Sequence, residues 1–309
     1  MDVSADGGVV VGYSSVLDDM GELVTHAFRW TRDEGIEDLG MPEHAQYSRA
    51  IGISDDGQTV LVDALMLFMN DDGEVIATPN AAFIWRNGEG YTQIPIPPEF
   101  GSMLATAISA DGTTVVGRVA TPLGVTPARA SVFRWRAETG VELLEVPPEL
   151  NRPSGTPWGV NADGSVMVGA LIGGPRWIPF IWDETHGFRT IEAVLTEGGA
   201  DYSGWEITGV NAVSADGRTI VGTGFRDHPE FGLVVDGWIA TISDGTACPA
   251  DWDGSGTVNS SDISAFLTAW LDSVTEPNLV ADFDGSGAVN SSDISAFLTA
   301  WLQAVQQGC

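Results

Sequence analysis

Ser109-Ala110-Asp111-Gly112, followed by Val115-Val116-Gly117, Phe133-Arg134-Trp135 and Gly140-Val141-Glu142-Leu143-Leu144, is the stretch that decides the fold. Asp-Gly between two apolar runs is a strong hairpin signal, and a type I′ turn, with φ > 0 at both central residues, is the expected geometry. Phe and Trp two residues apart on a strand point to one face, where they stack into a core. A short apolar segment then closes the unit.

The same order recurs along the chain. The turn reads Ser4-Ala5-Asp6-Gly7, Ser54-Asp55-Asp56-Gly57, Asn161-Ala162-Asp163-Gly164 and Ser214-Ala215-Asp216-Gly217 in the other copies. From Asp to Asp the spacings are 50, 55, 52 and 53 residues. The aromatic pair is Phe28/Trp30, Phe83/Trp85 and Phe180/Trp182, and it degrades to Trp238-Ile239-Ala240 in the last copy. Four short antiparallel strands at this period fit the blade of a β-propeller better than a rung of a solenoid. The fold class predicted is mainly β: a β-propeller-like array of about five four-stranded repeats over residues 1–247, followed by a small α module over residues 248–309. Copy five shows strands around Val210–Val213, Thr219–Val221 and Leu233–Ile242 without a fourth. The reading therefore expects a closing strand, and a secretion signal, upstream of Met1.

Composition removes several functions. Across 309 residues the formal charge is -30, and all 13 cations are Arg. Nucleic acid and anionic membranes require clustered cations, so neither is an expected partner. Walker-type phosphate binding and Schiff-base chemistry require Lys. No apolar run reaches the roughly 18 residues of a spanning helix, so no membrane insertion is expected. A hydrophobic content of 43% is too high for a disordered acidic chain. His26, His44, His186 and His228 share no ligand spacing, and no Gly-x-Ser-x-Gly elbow occurs. No carboxylate pair stands out as catalytic, and the chain is read as a non-enzyme. The Phe-x-Trp pairs are read as core aromatics before glycan platforms, and each Asp of Asp-Gly as a turn residue before a cation ligand. His26-Ala27-Phe28, following the Ser-Ala-Asp-Gly turn, resembles the bacterial extracellular HAF repeat family. That resemblance spans residues 1–247 and implies secretion and repetition, with no established chemistry.

From Cys248 onward the pattern changes. Asp251-Trp252-Asp253-Gly254-Ser255-Gly256-Thr257-Val258-Asn259-Ser260-Ser261-Asp262 fits a 12-residue calcium loop, repeated 31 residues later from Asp282 to Asp293. The first set of ligands is Asp251, Asp253, Ser255, Thr257 (carbonyl), Asn259 (through water) and Asp262. The second set is Asp282, Asp284, Ser286, Ala288 (carbonyl), Asn290 and Asp293. Two calcium ions are therefore expected, each held by hard oxygens at about 2.3–2.6 Å. Ser at position 5 and Asp at position 12 depart from the general EF-hand pattern and point to moderate affinity, suited to extracellular calcium.

A helix follows each loop. Ile263, Phe266, Leu267, Trp270 and Leu271 form one apolar face, matched by Ile294, Phe297, Leu298, Trp301 and Leu302. Asn259 is placed as N-cap with Asp262 at N3, so a calcium ligand doubles as a capping box. Residues 250–271 and 281–302 differ only at Trp252/Phe283 and Thr257/Ala288. Two loop–helix halves without entering helices resemble the type I dockerin over residues 248–309. The resemblance implies a cohesin-like partner contacting loop positions 10 and 11 and the second helical turn: Ser260, Ser261 and Thr268, or Ser291, Ser292 and Thr299. Thr268-Ala269 and Thr299-Ala300 lack the basic residues many dockerins carry there.

Cys248 and Cys309, the only cysteines, bracket this module. A pseudo-symmetric pair of halves brings its ends together, and a disulfide between them would add about 4 kcal/mol. Such a bridge requires an oxidising compartment. The functional expectation is a secreted, extracellular, non-catalytic repeat protein with a calcium-dependent anchoring module. The alternatives are a polysaccharide-acting propeller recruited to a complex, with a glycan as partner, and a structural surface protein with a calcium-stiffened cap.

Overall fold

The computed structural model describes all residues except 19, 70–74, 78, 123–128, 153, 229–230, 243–247, 254–257, 276–277 and 308–309. The chain divides into two compact units, Met1–Thr241 and Ile242–Cys309.

The first unit is a succession of antiparallel sheets. β1 (Asp2–Val3), β2 (Val9–Leu17), β3 (Leu23–Thr31) and β4 (Gly35–Gly40) pair in order. β5 (Ala45–Ile53) and β6 (Thr59–Met66) precede a small hairpin of β7 (Phe68–Met69) and β8 (Val75–Ala77). β9 (Asn80–Arg86) and β10 (Gly90–Gln93) then complete the second group. A single parallel bridge, Thr25 to Tyr47, links the first two groups. β11 (Ser102–Ile108), β12 (Thr114–Ala120), β13 (Ala130–Arg136) and β14 (Gly140–Leu144) make the third. β15 (Ser154–Val160), β16 (Val166–Ile172), β17 (Ile178–Asp183) and β18 (Gly187–Thr190) make the fourth, trailed by α1 (Ile191–Glu197). β19 (Trp205–Val213), β20 (Thr219–His228) and β21 (Gly232–Thr241) form a last sheet of three described strands.

The Asp-Gly turns differ from the expected type I′. Gly7, Gly57, Gly112, Gly164 and Gly217 have φ between +69° and +76°, but none of the preceding Asp residues has a positive φ. The hydrogen bond closes from Gly7 N–H to Ser4 O at 2.9 Å, one residue earlier than a two-residue hairpin requires. With Ser4 N–H bonded to Val9 O at 2.9 Å, residues 5–8 form a four-residue loop built around a turn, and the third residue of the loop, Gly7, is left-handed. The Ser side chain is the reason. Ser54 Oγ accepts Thr59 N–H at 3.0 Å and donates to Asp56 Oδ1 at 2.6 Å, while Asp56 Oδ1 also accepts Gln58 N–H at 2.9 Å. Ser109/Asp111 and Ser214/Asp216 repeat the arrangement. In the fourth turn Asn161 Oδ1 accepts Val166 N–H at 2.9 Å in place of a hydroxyl.

Successive turns are also tied to one another. Ala5 N–H donates to Asp55 O, Asp55 N–H to Ala110 O, Asp111 N–H to Ala162 O, and Ala162 N–H to Ala215 O, all at 2.8–3.1 Å. The first-turn backbone of each sheet is thus laced to that of the next. Between the sheets lie the cores. Phe83 and Trp85 pack with Val9 and Val11 of the first sheet. Phe133 and Trp135 pack with Leu61 and Ala82 of the second, and Phe180 and Trp182 with Val116 and Val132 of the third. The aromatic pairs of the second, third and fourth groups therefore lie in cores shared with the preceding one.

The second unit holds α2 (Ser260–Thr275) and α3 (Ser291–Gln307). Phe266 and Phe297 stack at its centre with ring centroids 4.2 Å apart and planes within 9°. Trp252 and Phe283 meet them edge-on at 4.9 and 5.4 Å. The predicted apolar face is split. Phe266 and Phe297 are fully buried and Ile263, Trp270, Ile294 and Trp301 partly so, whereas Leu267, Leu271, Leu298 and Leu302 lie on the exposed side. Core contact on a helix pair this small takes a stripe narrower than the sequence face. No helix among the described residues is long and apolar enough to cross a membrane.

Candidate metal centre

The site begins with the helix starts. Ser261 N–H donates to Asn259 Oδ1 at 2.8 Å, and Asn259 N–H donates to Asp262 Oδ2 at 2.8 Å. Asn290 and Asp293 make the same pair of bonds, at 2.9 and 2.8 Å. This reciprocal cap fixes the twelfth loop residue before any ligand arrives. The remaining oxygen of that carboxylate reaches back to the third loop residue: Asp262 Oδ1 accepts Asp253 N–H, and Asp293 Oδ1 accepts Asp284 N–H, each at 3.1 Å.

Each loop is thereby folded around its acids. Carboxylate oxygens of Asp251, Asp253 and Asp262 lie within 4.8 Å of one another, as do those of Asp282, Asp284 and Asp293. Asp262 and Asp293 are fully buried. Residues 248–309 contain no Lys, Arg or His, so no side chain of this module neutralises them. Three carboxylates at that separation repel unless a cation is shared between them. Hard oxygen donors only, three of them anionic, suit calcium in preference to a soft or imidazole-seeking metal.

The second loop is described throughout. Gly285 and Gly287 take positive φ, +68° and +83°, allowing the sharp turn. Ser286 N–H donates to Asp282 Oδ1 and Asp284 Oδ1 at 3.0 Å, and Gly287 N–H to Asp282 Oδ2 at 2.7 Å. Ser292 Oγ donates to Asp284 Oδ2 at 2.6 Å. The hydroxyls of Ser292 and Ser286, with the Ser286 N–H, hold the Asp284 carboxyl down to about 2. The Ala288 carbonyl oxygen accepts from Ser286 Oγ and Asn290 Nδ2 at 3.2 and 3.0 Å. In the first loop, Ser255 and Thr257 lie outside the described residues.

Two contacts had no counterpart in the sequence reading. Trp270 Nε1 donates to Asn290 O, and Trp301 Nε1 to Asn259 O, both at 2.8 Å. Each indole thus props the loop of the other half. Of the proposed partner residues, Ser260, Ser261, Ser291 and Ser292 are exposed at the helix starts and Thr268 and Thr299 about two turns on. Thr268 and Thr299 turn their hydroxyls back to Ser264 O and Ser295 O, at 2.8 and 2.7 Å. Their outward surface is therefore less polar than the sequence suggests. Cys309 lies outside the described residues, and no free cysteine occurs among the described ones.

Residues 249–297 match the dockerin type I domain. Dockerin modules bind calcium and, in a calcium-dependent way, cohesin partners, and they occur in secreted or cell-surface proteins. In this dockerin region the two acidic groups are the candidate ion sites. No curated protein sequence matches the chain.

The solved structures similar to the chain include TolB from Acinetobacter baumannii, 16% identical, with a TM-score of 0.42 over 61% of this chain and 41% of that one. An acylaminoacyl peptidase is 12% identical, with a TM-score of 0.47 over 79% of this chain and 38% of the peptidase. A prolyl endopeptidase is 15% identical, with a TM-score of 0.45 over 77% and 34%. The chain thus spans well under half the length of each. These likenesses concern a propeller-like fold. One expectation is corrected: the acylaminoacyl peptidase and the prolyl endopeptidase are enzymes, so the reading of the chain as a non-enzyme is withdrawn.

Proposed function

We propose that the chain is an anchored repeat protein whose residues 248–309 bind two calcium ions and dock, in their presence, to a cohesin-like partner. The observation that carries this is the pair of buried-ended acidic triads, Asp251/Asp253/Asp262 and Asp282/Asp284/Asp293, in a module without a cation of its own. Ser255, Asn259 and the Thr257 carbonyl complete the first site, with Ser286, Asn290 and the Ala288 carbonyl in the second. Calcium bound there neutralises the acids and stiffens the loop from which each helix starts.

The docking face is duplicated. One copy consists of Ser260, Ser261, Leu267, Thr268 and Leu271, the other of Ser291, Ser292, Leu298, Thr299 and Leu302. Support comes from the exposed leucines and the inward-turned threonine hydroxyls, which leave a patch with an apolar centre and a seryl rim. Such composition favours a protein partner over a charged polymer. A Cys248–Cys309 bridge, secretion, and membership of the HAF-like repeats in residues 1–247 belong to the same reading, since millimolar calcium and an oxidising medium occur together outside the cell.

Calorimetric calcium titration of the full chain, followed by capture on an immobilised cohesin with and without chelator, tests it. Two ions per chain and chelator-sensitive capture are expected. No calcium binding, or capture indifferent to chelator, overturns it.

A further inference from the structure

The last sheet breaks the pattern that packs the others. Phe83/Trp85, Phe133/Trp135 and Phe180/Trp182 are all at most 9% exposed. In register, Phe133 faces Gly117 and Phe180 faces Gly169, while Trp135 faces Val115 and Trp182 faces Met167. On β20 and β21 the equivalent pairs are Gly222 with Trp238 and Ile220 with Ala240. Trp238 therefore takes the place of the Phe, and a methyl group takes the place of the repeated indole.

A cleft of about 300 Å³ lies at that position, with Leu195 of α1, Ile207, Trp238 and Ala240 in its lining and Asp201, Tyr202 and Trp205 beside them. A wider depression of about 500 Å³ shares Asp201, Tyr202 and Trp205 and adds Thr196 and Ser203. Its aromatic residues are fixed in place. Trp238 Nε1 donates to Thr223 O at 3.0 Å, and a Cβ on Gly222 would come within 2.3 Å of the Trp238 ring, so only glycine admits the indole there. Tyr202 Oη and Thr196 Oγ1 share a hydrogen bond of 2.9 Å.

We propose that this cleft binds a neutral, hydroxyl-bearing ring of the pyranose class. A cation approaching Trp205 meets the Arg226 guanidinium, which sits 5.6 Å from the ring and is held by Asp236 Oδ2 at 2.7 Å. An anion meets the exposed carboxylate of Asp201, whose Oδ1 accepts Ser203 N–H at 2.9 Å. A sugar ring satisfies both demands: its C–H face lies on indole and phenol, and its hydroxyls donate to Asp201 and exchange bonds with Ser203 and Tyr202. The volume is at the lower end for small-molecule sites and suits one ring.

Saturation-transfer NMR on the full chain, with methyl pyranosides in one arm and short linear oligosaccharides in the other, tests the proposal. Tetramethylammonium and inorganic phosphate serve as controls. Saturable binding of a pyranoside is expected, with Kd about millimolar. Tighter binding of the oligosaccharides would assign the ring to a glycan chain, and equal binding to a free sugar; both support the site. Ala240→Trp, which restores the ring the other repeats carry, should raise the Tm and weaken binding at least tenfold. Should that variant fail to fold, Trp205→Ala and Asp201→Asn, both at the rim, should each weaken binding about tenfold at unchanged Tm. No saturable pyranoside signal, retained affinity in folded Ala240→Trp, or saturation by either control alone would overturn the proposal.

Discussion

Trp270 and Asn290 are joined across the two halves of the dockerin region, indole Nε1 to carbonyl oxygen at 2.8 Å, and Trp301 and Asn259 repeat the bond in the opposite sense. Asn290 and Asn259 are the residues that cap the helices and close the loops. Each acidic loop therefore depends on a helix from the other repeat, so neither half is a self-sufficient unit.

Replacing Trp301 by Phe keeps an aromatic ring and deletes the donor. The expected loss is about 1 kcal/mol of stability, the net worth of one hydrogen bond. Its effect should fall on the first loop: amide shifts in a heteronuclear NMR spectrum should concentrate at residues 258–262 and spare 289–293. Trp270→Phe should produce the mirror image. Shifts confined to the mutated helix in both variants would show that the crossed bonds do not support the loops.

Asp262 is the capping carboxylate of α2 and, in the proposed site, a calcium ligand as well, and Asp262→Asn tests both roles. One amide oxygen can still accept, but the NH2 cannot, so either Asp253 N–H or Asn259 N–H loses its partner. In a buried position that costs about 1–3 kcal/mol without metal. Calcium titration should then find one ion instead of two, with the second loop's affinity retained within about tenfold. Two ions bound with unchanged affinity would remove Asp262 from the site.

The repeat turns offer a test away from the dockerin region. Ser54 is 1% exposed, and its hydroxyl is the acceptor for Thr59 N–H, itself interior. Ser54→Ala leaves that N–H without its bond and should cost about 1–3 kcal/mol. Ser54→Asn, copying the fourth turn's Asn161, should recover part of the loss, because Asn161 Oδ1 makes the equivalent bond to Val166 N–H. Equal unfolding free energies for wild type and Ser54→Ala, measured by urea titration, would refute the role of the hydroxyl.

How far these features could be read in advance depends on what sets them. The sheet order was legible because Ser-x-Asp-Gly, the β-branched run and Phe-x-Trp each mark one local event, and each recurs. The acidic loops were legible for the same reason, since a calcium loop is written in consecutive residues. Turn type was not. Asp-Gly alone points to a two-residue hairpin, but the Ser hydroxyl bonding five residues ahead, as Ser4 Oγ does with Val9 N–H at 2.9 Å, shifts the closure back by one. Leu267 and Leu271 also escaped. Periodicity places them on the apolar face with Phe266, yet the partner helix is only wide enough to cover Phe266, Ile263 and Trp270. The crossed indole bonds join residues 20 and 42 positions apart, and no spacing rule reaches that far.

Gly117 illustrates a constraint that the repeated Val-Val-Gly run hints at and packing makes explicit. A Cβ there would lie 2.2 Å from Leu104 O and 2.7 Å from the Phe133 ring. Gly117→Ala forces either the β11–β12 ladder or the buried Phe133 to move, and overpacking of this kind costs about 1–3 kcal/mol. The matching position in the second sheet is Val62, opposite Phe83, so Val62→Gly should destabilise instead, through loss of a buried side chain. Thermal unfolding of both variants should show a lower Tm, with a double variant no better than additive. A neutral Gly117→Ala would mean that the ring contact is soft.

Tyr91 gives the last prediction, on pH. Burial pushes its phenol up to about 12 from an ordinary value of 10.0, with the hydroxyl donating to Gly40 O at 3.1 Å and the ring edge-on to Phe83. A folded-state value raised above the unfolded one means that the folded protein holds the proton more tightly. The associated stability is fully present below pH 10 and is lost as pH rises towards 12. Of the four tyrosines, Tyr91 and Tyr47 are both raised, so alkaline absorbance titration should show a late phase to which Tyr91 contributes near pH 12, and the Tm should fall through that window. In Tyr91→Phe the late phase should lose one tyrosine's amplitude and the Tm should depend less on pH between 10 and 12, at a cost of about 1 kcal/mol at neutral pH for the lost hydrogen bond. A late phase undiminished in the variant would assign all of it to Tyr47, whose phenol is raised chiefly by burial and then by the Asp63 charge.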